Sequence, residues 1–173
     1  MGAPIDMREF RTPLPNTGLT IYMRNKRRAG VASFVPARTL LMVHGATYPA
    51  SVTFDLPVEG ASWMDHLANA GFDVWVMDLP GYGRSDRPKE MDGPAEAADP
   101  VITTETAILA VAAVVDFIRA TNGVDKLNLL GWSWGTAIMA GYAQAHAARV
   151  EKLALFAPLW LIEGAPPFAV TPG

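Results

Sequence analysis

Short, near-continuous apolar runs alternate along this chain with longer segments of helical periodicity, and few architectures can use that order. The runs are residues 39–43 (TLLMV), 72–77 (FDVWVM), 127–130 (LNLL) and 153–156 (LALF). A strand that is apolar at nearly every position is one whose two faces are both covered. Between the runs lie three segments that read as helices, residues 62–71, 103–120 and 136–147. Strand and helix in strict alternation imply right-handed crossovers and a mostly parallel sheet with helices on both faces, an α/β fold.

Local signals support the division. Ser62 can cap the first helix with Asp65 three residues on, and Gly71 closes it. In the second, Ile108, Val111, Val115 and Ile118 recur three and four apart, so one face packs on the sheet, and Asn122-Gly123 ends it. Upstream, residues 19–23 and 31–35 are strand candidates, separated by a basic turn at 24–28, and together they predict an antiparallel lead-in. Residues 78–88 form a Gly/Pro loop, continued over 89–100 by acidic, alanine-rich surface text without an apolar period.

At 173 residues, 50% of them hydrophobic, the chain can bury one sizeable core. A net charge of −3 and no basic stripe interleaved with aromatics argue against a nucleic-acid partner. With no cysteine there is no disulfide framework, thiolate metal site or sulfur nucleophile, and the three histidines are too scattered for a metal cluster. The longest apolar run, residues 107–115, is too short to span a bilayer, and the polar residues of 1–10 do not make a secretory signal. The expected location is cytoplasmic.

Ligands of such sheets bind beyond the carboxyl ends of the strands. Three conspicuous sequences follow strand ends: residues 44–47, 78–85 and 131–135. The last, Gly131-Trp132-Ser133-Trp134-Gly135, is a G-x-S-x-G elbow between an apolar strand and a helix. Its turn is sharp enough that side chains at 131 and 135 would collide with neighbours, and it holds Ser133 in a strained conformation that lifts the hydroxyl into the crevice. The start of the following helix directs N–H dipoles toward the same place, which favours a negative tetrahedral intermediate, and the N–H of Trp134 is one predicted oxyanion donor.

His44-Gly45 after one buried strand, DLPGYGRS over residues 78–85 after the next, and then the elbow give an ordered set that resembles the α/β-hydrolase superfamily over about residues 10–158. The resemblance implies Ser133 as nucleophile, Ala46 as the second oxyanion donor, and His44 as a residue that shapes the oxyanion loop through its own hydrogen bonds. His44, Gly45, Thr47 and Trp132 are candidates for the substrate pocket, and the expected partner is a small acyl substrate with no cofactor. Trp132 and Trp134 are expected to pack under and beside the elbow, the alternative being an acyl-pocket wall. A tryptophan after the serine resembles the proline-iminopeptidase branch, but that branch's glycine-rich oxyanion sequence is missing from 44–48, so peptidase activity is not assigned. Serine at 133 excludes the aspartate nucleophile of haloalkane dehalogenases and epoxide hydrolases. Gly81-Tyr82-Gly83 lacks the G-x-G-x-x-G spacing of a dinucleotide site.

The chain departs from the family in its acid and base. His146 lies thirteen residues along the helix from Ser133, roughly 20 Å at about 1.5 Å per residue. His66 falls inside the first crossover helix, as a solvated or packed residue. The family order is nucleophile, acid, histidine, yet no aspartate follows Ser133, Glu151 starts the last strand at the wrong end, and Glu163 is the one weak acid candidate. Asp78 is expected to anchor its loop, and Arg84, Asp86 and Arg87 to be solvated. Residues 1–158 thus read as the N-terminal part of a hydrolase core, and 159–173 as the start of a lid or a truncated tail. The expectation is a serine hydrolase incomplete at its C-terminus and inactive as it stands, its last strand a bare edge that invites self-association. The alternative is a non-catalytic binding module, or a half-domain completed by a partner chain.

Overall fold

The computed structural model describes residues 4–94 and 99–159. Glu163 and all but the first residue of the expected lid segment lie outside the described residues. The strands are β1 (Ile5–Pro13), β2 (Thr20–Arg28), β3 (Thr39–Val43), β4 (Asp73–Met77), β5 (Leu127–Trp132) and β6 (Val150–Phe156). The helices are α1 (Ala50–Thr53), α2 (Trp63–Asn69), α3 (Thr104–Asn122) and α4 (Trp134–Ala145). One six-stranded sheet runs β1-β2-β4-β3-β5-β6. β3, β4, β5 and β6 are parallel, and β1 and β2 are antiparallel to their neighbours.

Alternate residues of the central strands feed two cores. Leu41, Val43, Trp75, Met77, Leu127 and Leu129 join residues of α3 and α4 on one face. Leu40, Met42, Val74 and Val76 join Ala50 and Phe54 of the α1 region and Met64 and Ala68 of α2 on the other. All five residues of β3 and all five of β4 are buried, which is why both read as continuous runs. The Ser62–Asp65 capping box of α2 forms as the sequence predicts, with Ser62 Oγ accepting from the Asp65 N–H at 3.1 Å and Asp65 accepting from the Ser62 N–H at 2.9 Å.

The lead-in differs from expectation. Residues 24–28 are not a turn but the second half of β2, residues 31–35 form no strand, and the partner of β2 is the unanticipated β1. The charges misled because they alternate. Met23 and Asn25 are buried on one face, while Arg24 and Lys26 project from the other and are paired there. Asp55, its side chain 3% exposed, accepts Arg24 at 2.7 Å and Lys26 at 2.6 Å, and Asp65 takes Lys26 at 2.7 Å. Each cation thus meets a carboxylate that offsets the cost of taking it partly out of water.

β6 is the bare edge strand that the sequence predicts, but its run is not covered on both faces. It pairs with β5 alone among the described residues, and Leu153, Leu155 and Phe156 are exposed. It occupies the sheet edge.

Candidate active site

The tips of β3, β4 and β5 bring the three suspect loops together. Ser133 stands between β5 and α4 with φ 54° and ψ −121°, a conformation costing a residue with a Cβ on the order of 1–3 kcal/mol. It persists because both ends of the residue are tied. Its N–H donates to the Phe156 carbonyl at 3.1 Å, and its carbonyl accepts from the N–H of Thr136 at 2.9 Å and from that residue's hydroxyl at 2.6 Å.

Close approach, not flexibility, accounts for the glycines around it. A Cβ on Gly131 would stand 2.2 Å from the Gly135 carbonyl oxygen, and one on Gly135 would stand 2.4 Å from that of Val43. The end of β5, the start of α4 and the tip of β3 are therefore in backbone contact. Gly45 faces the serine itself, since a Cβ there would meet Ser133 Cβ at 2.9 Å and Oγ at 3.2 Å.

His44 is fully buried behind that contact. Its Nε2 accepts the Leu79 N–H at 3.1 Å, so the ring proton belongs on Nδ1, which lies 2.6 Å from the Gly45 carbonyl oxygen. With both nitrogens engaged, His44 is a strut and not a free base. Burial holds its pKa below the ordinary 6.5, against the opposing pull of the Gly45 bond. The unfolded chain then takes up a proton near 6.5 that the folded protein refuses until lower pH. This contribution to stability is complete above about 6.5 and shrinks as pH falls below it. The expected NMR titration of the His44 ring shows no inflection between about pH 6.5 and 8; a midpoint inside that range would refute the assignment.

Asp78 anchors its loop, as expected. Its Oδ1 accepts the Ala50 N–H at 2.8 Å and its Oδ2 the Arg84 N–H at 2.9 Å. Ser85 donates its hydroxyl to the Asp78 carbonyl at 2.6 Å. Arg84 and Arg87 are exposed, as expected, and Asp86 is partly so, and all three are also paired. Asp86 accepts the N–H of Thr20 at 2.8 Å and pairs with Arg11, Arg84 pairs with Glu9 at 2.6 Å, and Arg87 with Asp92 at 3.3 Å. The Thr20 backbone bond holds the Asp86 carboxyl below the usual carboxylate range.

Trp134 donates its indole N–H to Thr104 Oγ1 at 3.0 Å and packs against the α3/α4 core, fastening the starts of those helices together. Trp132 rests on the opposite core. Thr47 is exposed beside Ala46. His66 is exposed on α2, and His146 caps the far end of α4 with its ring 4.7 Å from that of Tyr142. No group of three or more His, Cys, Asp or Glu that could hold a metal occurs among the described residues. Nor is any described helix long and apolar enough to cross a membrane.

The family model for the alpha/beta hydrolase fold matches residues 38–171. The chain belongs to this family. Among curated relatives, it is 35% identical over 96 residues to the abhydrolase domain-containing protein abhd-5.2 of Caenorhabditis elegans, covering 56% of this chain and 19% of that protein. It is 28% identical over 117 residues to the 2-hydroxy-6-oxononadienedioate/2-hydroxy-6-oxononatrienedioate hydrolase of Paraburkholderia phymatum, covering 68% and 35%. This hydrolase-fold chain therefore spans about a fifth to a third of the length of those relatives. A predicted CIB-like hydrolase from Thermoplasma acidophilum superimposes with a TM-score of 0.61 at 18% identity, over 91% of this chain and 65% of that one. At that identity the likeness is one of fold.

Sequence reasoning missed the reach of Tyr82. Its hydroxyl donates to the Ala46 carbonyl at 2.8 Å, and its ring lies 4.9 Å from that of His44. A tyrosine between two glycines in a loop was the available signal, but nothing in the sequence gives its direction.

Proposed function

We propose that this chain is the nucleophile-bearing part of a serine hydrolase of esters or related acyl compounds. Ser133 Oγ attacks the acyl carbon as its proton passes to a base, and the N–H groups of Ala46 and Trp134 receive the oxyanion. Collapse expels the alcohol, which regains a proton, and water then releases the acid from the acyl-enzyme. The observation that carries this reading is the strained Ser133 at a strand-to-helix turn, pressed against Gly45. Trp134 opens α4, and an N–H in the first turn of a helix has no acceptor within it.

None of the chain's three histidines fills the role of base. His44 is engaged at both nitrogens, His66 lies on α2, and His146 stands at the far end of α4. The proposal therefore takes the base and its acid from elsewhere in the protein, and residues 1–173 alone should be inactive. The test is labelling of the full-length protein with a fluorophosphonate, followed by peptide mapping. A single adduct on Ser133 is expected; a folded full-length protein that takes no label would turn the search toward a non-catalytic role.

A further inference from the structure

The segment that carries Ala46 is fastened to the loop after β4 at three points. Leu79 N–H reaches His44 Nε2 at 3.1 Å, Tyr82 Oη reaches the Ala46 carbonyl at 2.8 Å, and Ala50 N–H reaches Asp78 Oδ1 at 2.8 Å. Of the three, only the middle one acts on the exposed stretch 46–48, where the other side-chain bond runs from the Thr53 hydroxyl to the Tyr48 carbonyl at 3.2 Å.

Planarity makes these bonds directional. A trans peptide points its C=O and the next N–H in opposite senses. His44 Nδ1, bonded to the Gly45 carbonyl, therefore sets which way the Ala46 N–H points. Tyr82, bonded to the Ala46 carbonyl, sets the next peptide plane in the same way. With both planes held, neither backbone torsion of Ala46 is free.

Tyr82 is equipped to hold. Its N–H donates to the Leu79 carbonyl at 2.9 Å, and its carbonyl accepts the Ser85 N–H at 3.1 Å. Its phenol is a hydrogen-bond donor at neutral pH, and burial raises its pKa further above the ordinary 10.

We propose that Tyr82 is a positioning residue for the oxyanion-binding peptide at Ala46, acting through its hydroxyl. The inference rests on the reading of Ser133 as nucleophile and adds a specific device to it. Without the hydroxyl the peptide after Ala46 can swivel, and the donor before it loses one of its two restraints. Substrate binding would be spared, while stabilisation of the tetrahedral intermediate would fall.

The experiment compares Tyr82→Phe with the parent in the full-length protein, using p-nitrophenyl butyrate as substrate. Phenylalanine keeps the ring against His44, so the variant should fold with an unchanged melting temperature. The expected result is a kcat lower by about 10- to 100-fold at unchanged KM. A trifluoromethyl ketone that forms a hemiketal oxyanion should lose affinity by a similar factor. Parent-like kcat in Tyr82→Phe beside an inactive Ser133→Ala would overturn this inference and leave the nucleophile standing. A lower melting temperature with unchanged kcat would make Tyr82 merely structural and overturn it equally. Activity surviving in Ser133→Ala would overturn both.

Discussion

Ser133→Ala in the full-length protein should lower kcat by about 10⁶-fold, the scale on which a serine nucleophile's loss is felt when the rest of its machinery is intact. The fold should not suffer. The backbone bonds from Phe156 and Thr136 do not involve the Ser133 side chain. Alanine keeps the Cβ and therefore the strain at φ 54°. Ser133→Gly separates the two effects further. It should be equally inactive yet more stable than Ser133→Ala by about 1 kcal/mol, because a left-handed residue without Cβ is relieved of about 1–2 kcal/mol and gives part of it back in chain entropy. Stopped-flow hydrolysis and urea unfolding of the two variants provide the check. An alanine variant within tenfold of parental activity would remove Ser133 from the chemistry, and a glycine variant less stable than the alanine one would mean that the turn is not strained.

Gly135→Ala should destabilise the fold by on the order of 3 kcal/mol or more, a large part of the roughly 5–15 kcal/mol that holds a domain together. Helix propensity alone predicts the opposite sign, since Gly135 lies in the first turn of α4 and alanine is the better helix former by about 1 kcal/mol. Packing overrides propensity here. The new methyl would stand 2.4 Å from the Val43 carbonyl oxygen and 2.8 Å from that of His44, and both are backbone atoms of a central strand and its tip. They cannot rotate away as a side chain would. Chemical denaturation decides it: a variant as stable as the parent would show that α4 can back away from β3, and with it that the contact between them is loose.

The central sheet was legible in the sequence because β3 and β4 are covered on both faces and thus apolar throughout. The sharp turn between β5 and α4 was legible for a related reason. Its two glycines are demanded by contacts between the end of β5, the start of α4 and the tip of β3, all of which follow from strand-turn-helix order. The lead-in was harder to read. In β2, Arg24 and Lys26 resemble a solvated turn until Asp55 and Asp65, about 30 to 40 residues away, are seen to face them. Pairings of that range leave no local periodicity. Tyr82 escaped notice for a similar reason, because its partner is a carbonyl, and every residue carries one.

The two cores of the sheet draw on different lengths of chain. The buried residues on the α2 face run from Leu40 to Val76, with Leu130 and Trp132 of β5 packed against them, so most of that core is encoded ahead of α3. The other core waits for Ile138, Met139 and Tyr142 of α4. β3 meanwhile has β4 on one side and, until β5 emerges, an open edge on the other. A chain cut before β5 would therefore keep Gly45 and Ala46 but leave β3 with an open edge, and that edge is where a holding chaperone would have the most to cover.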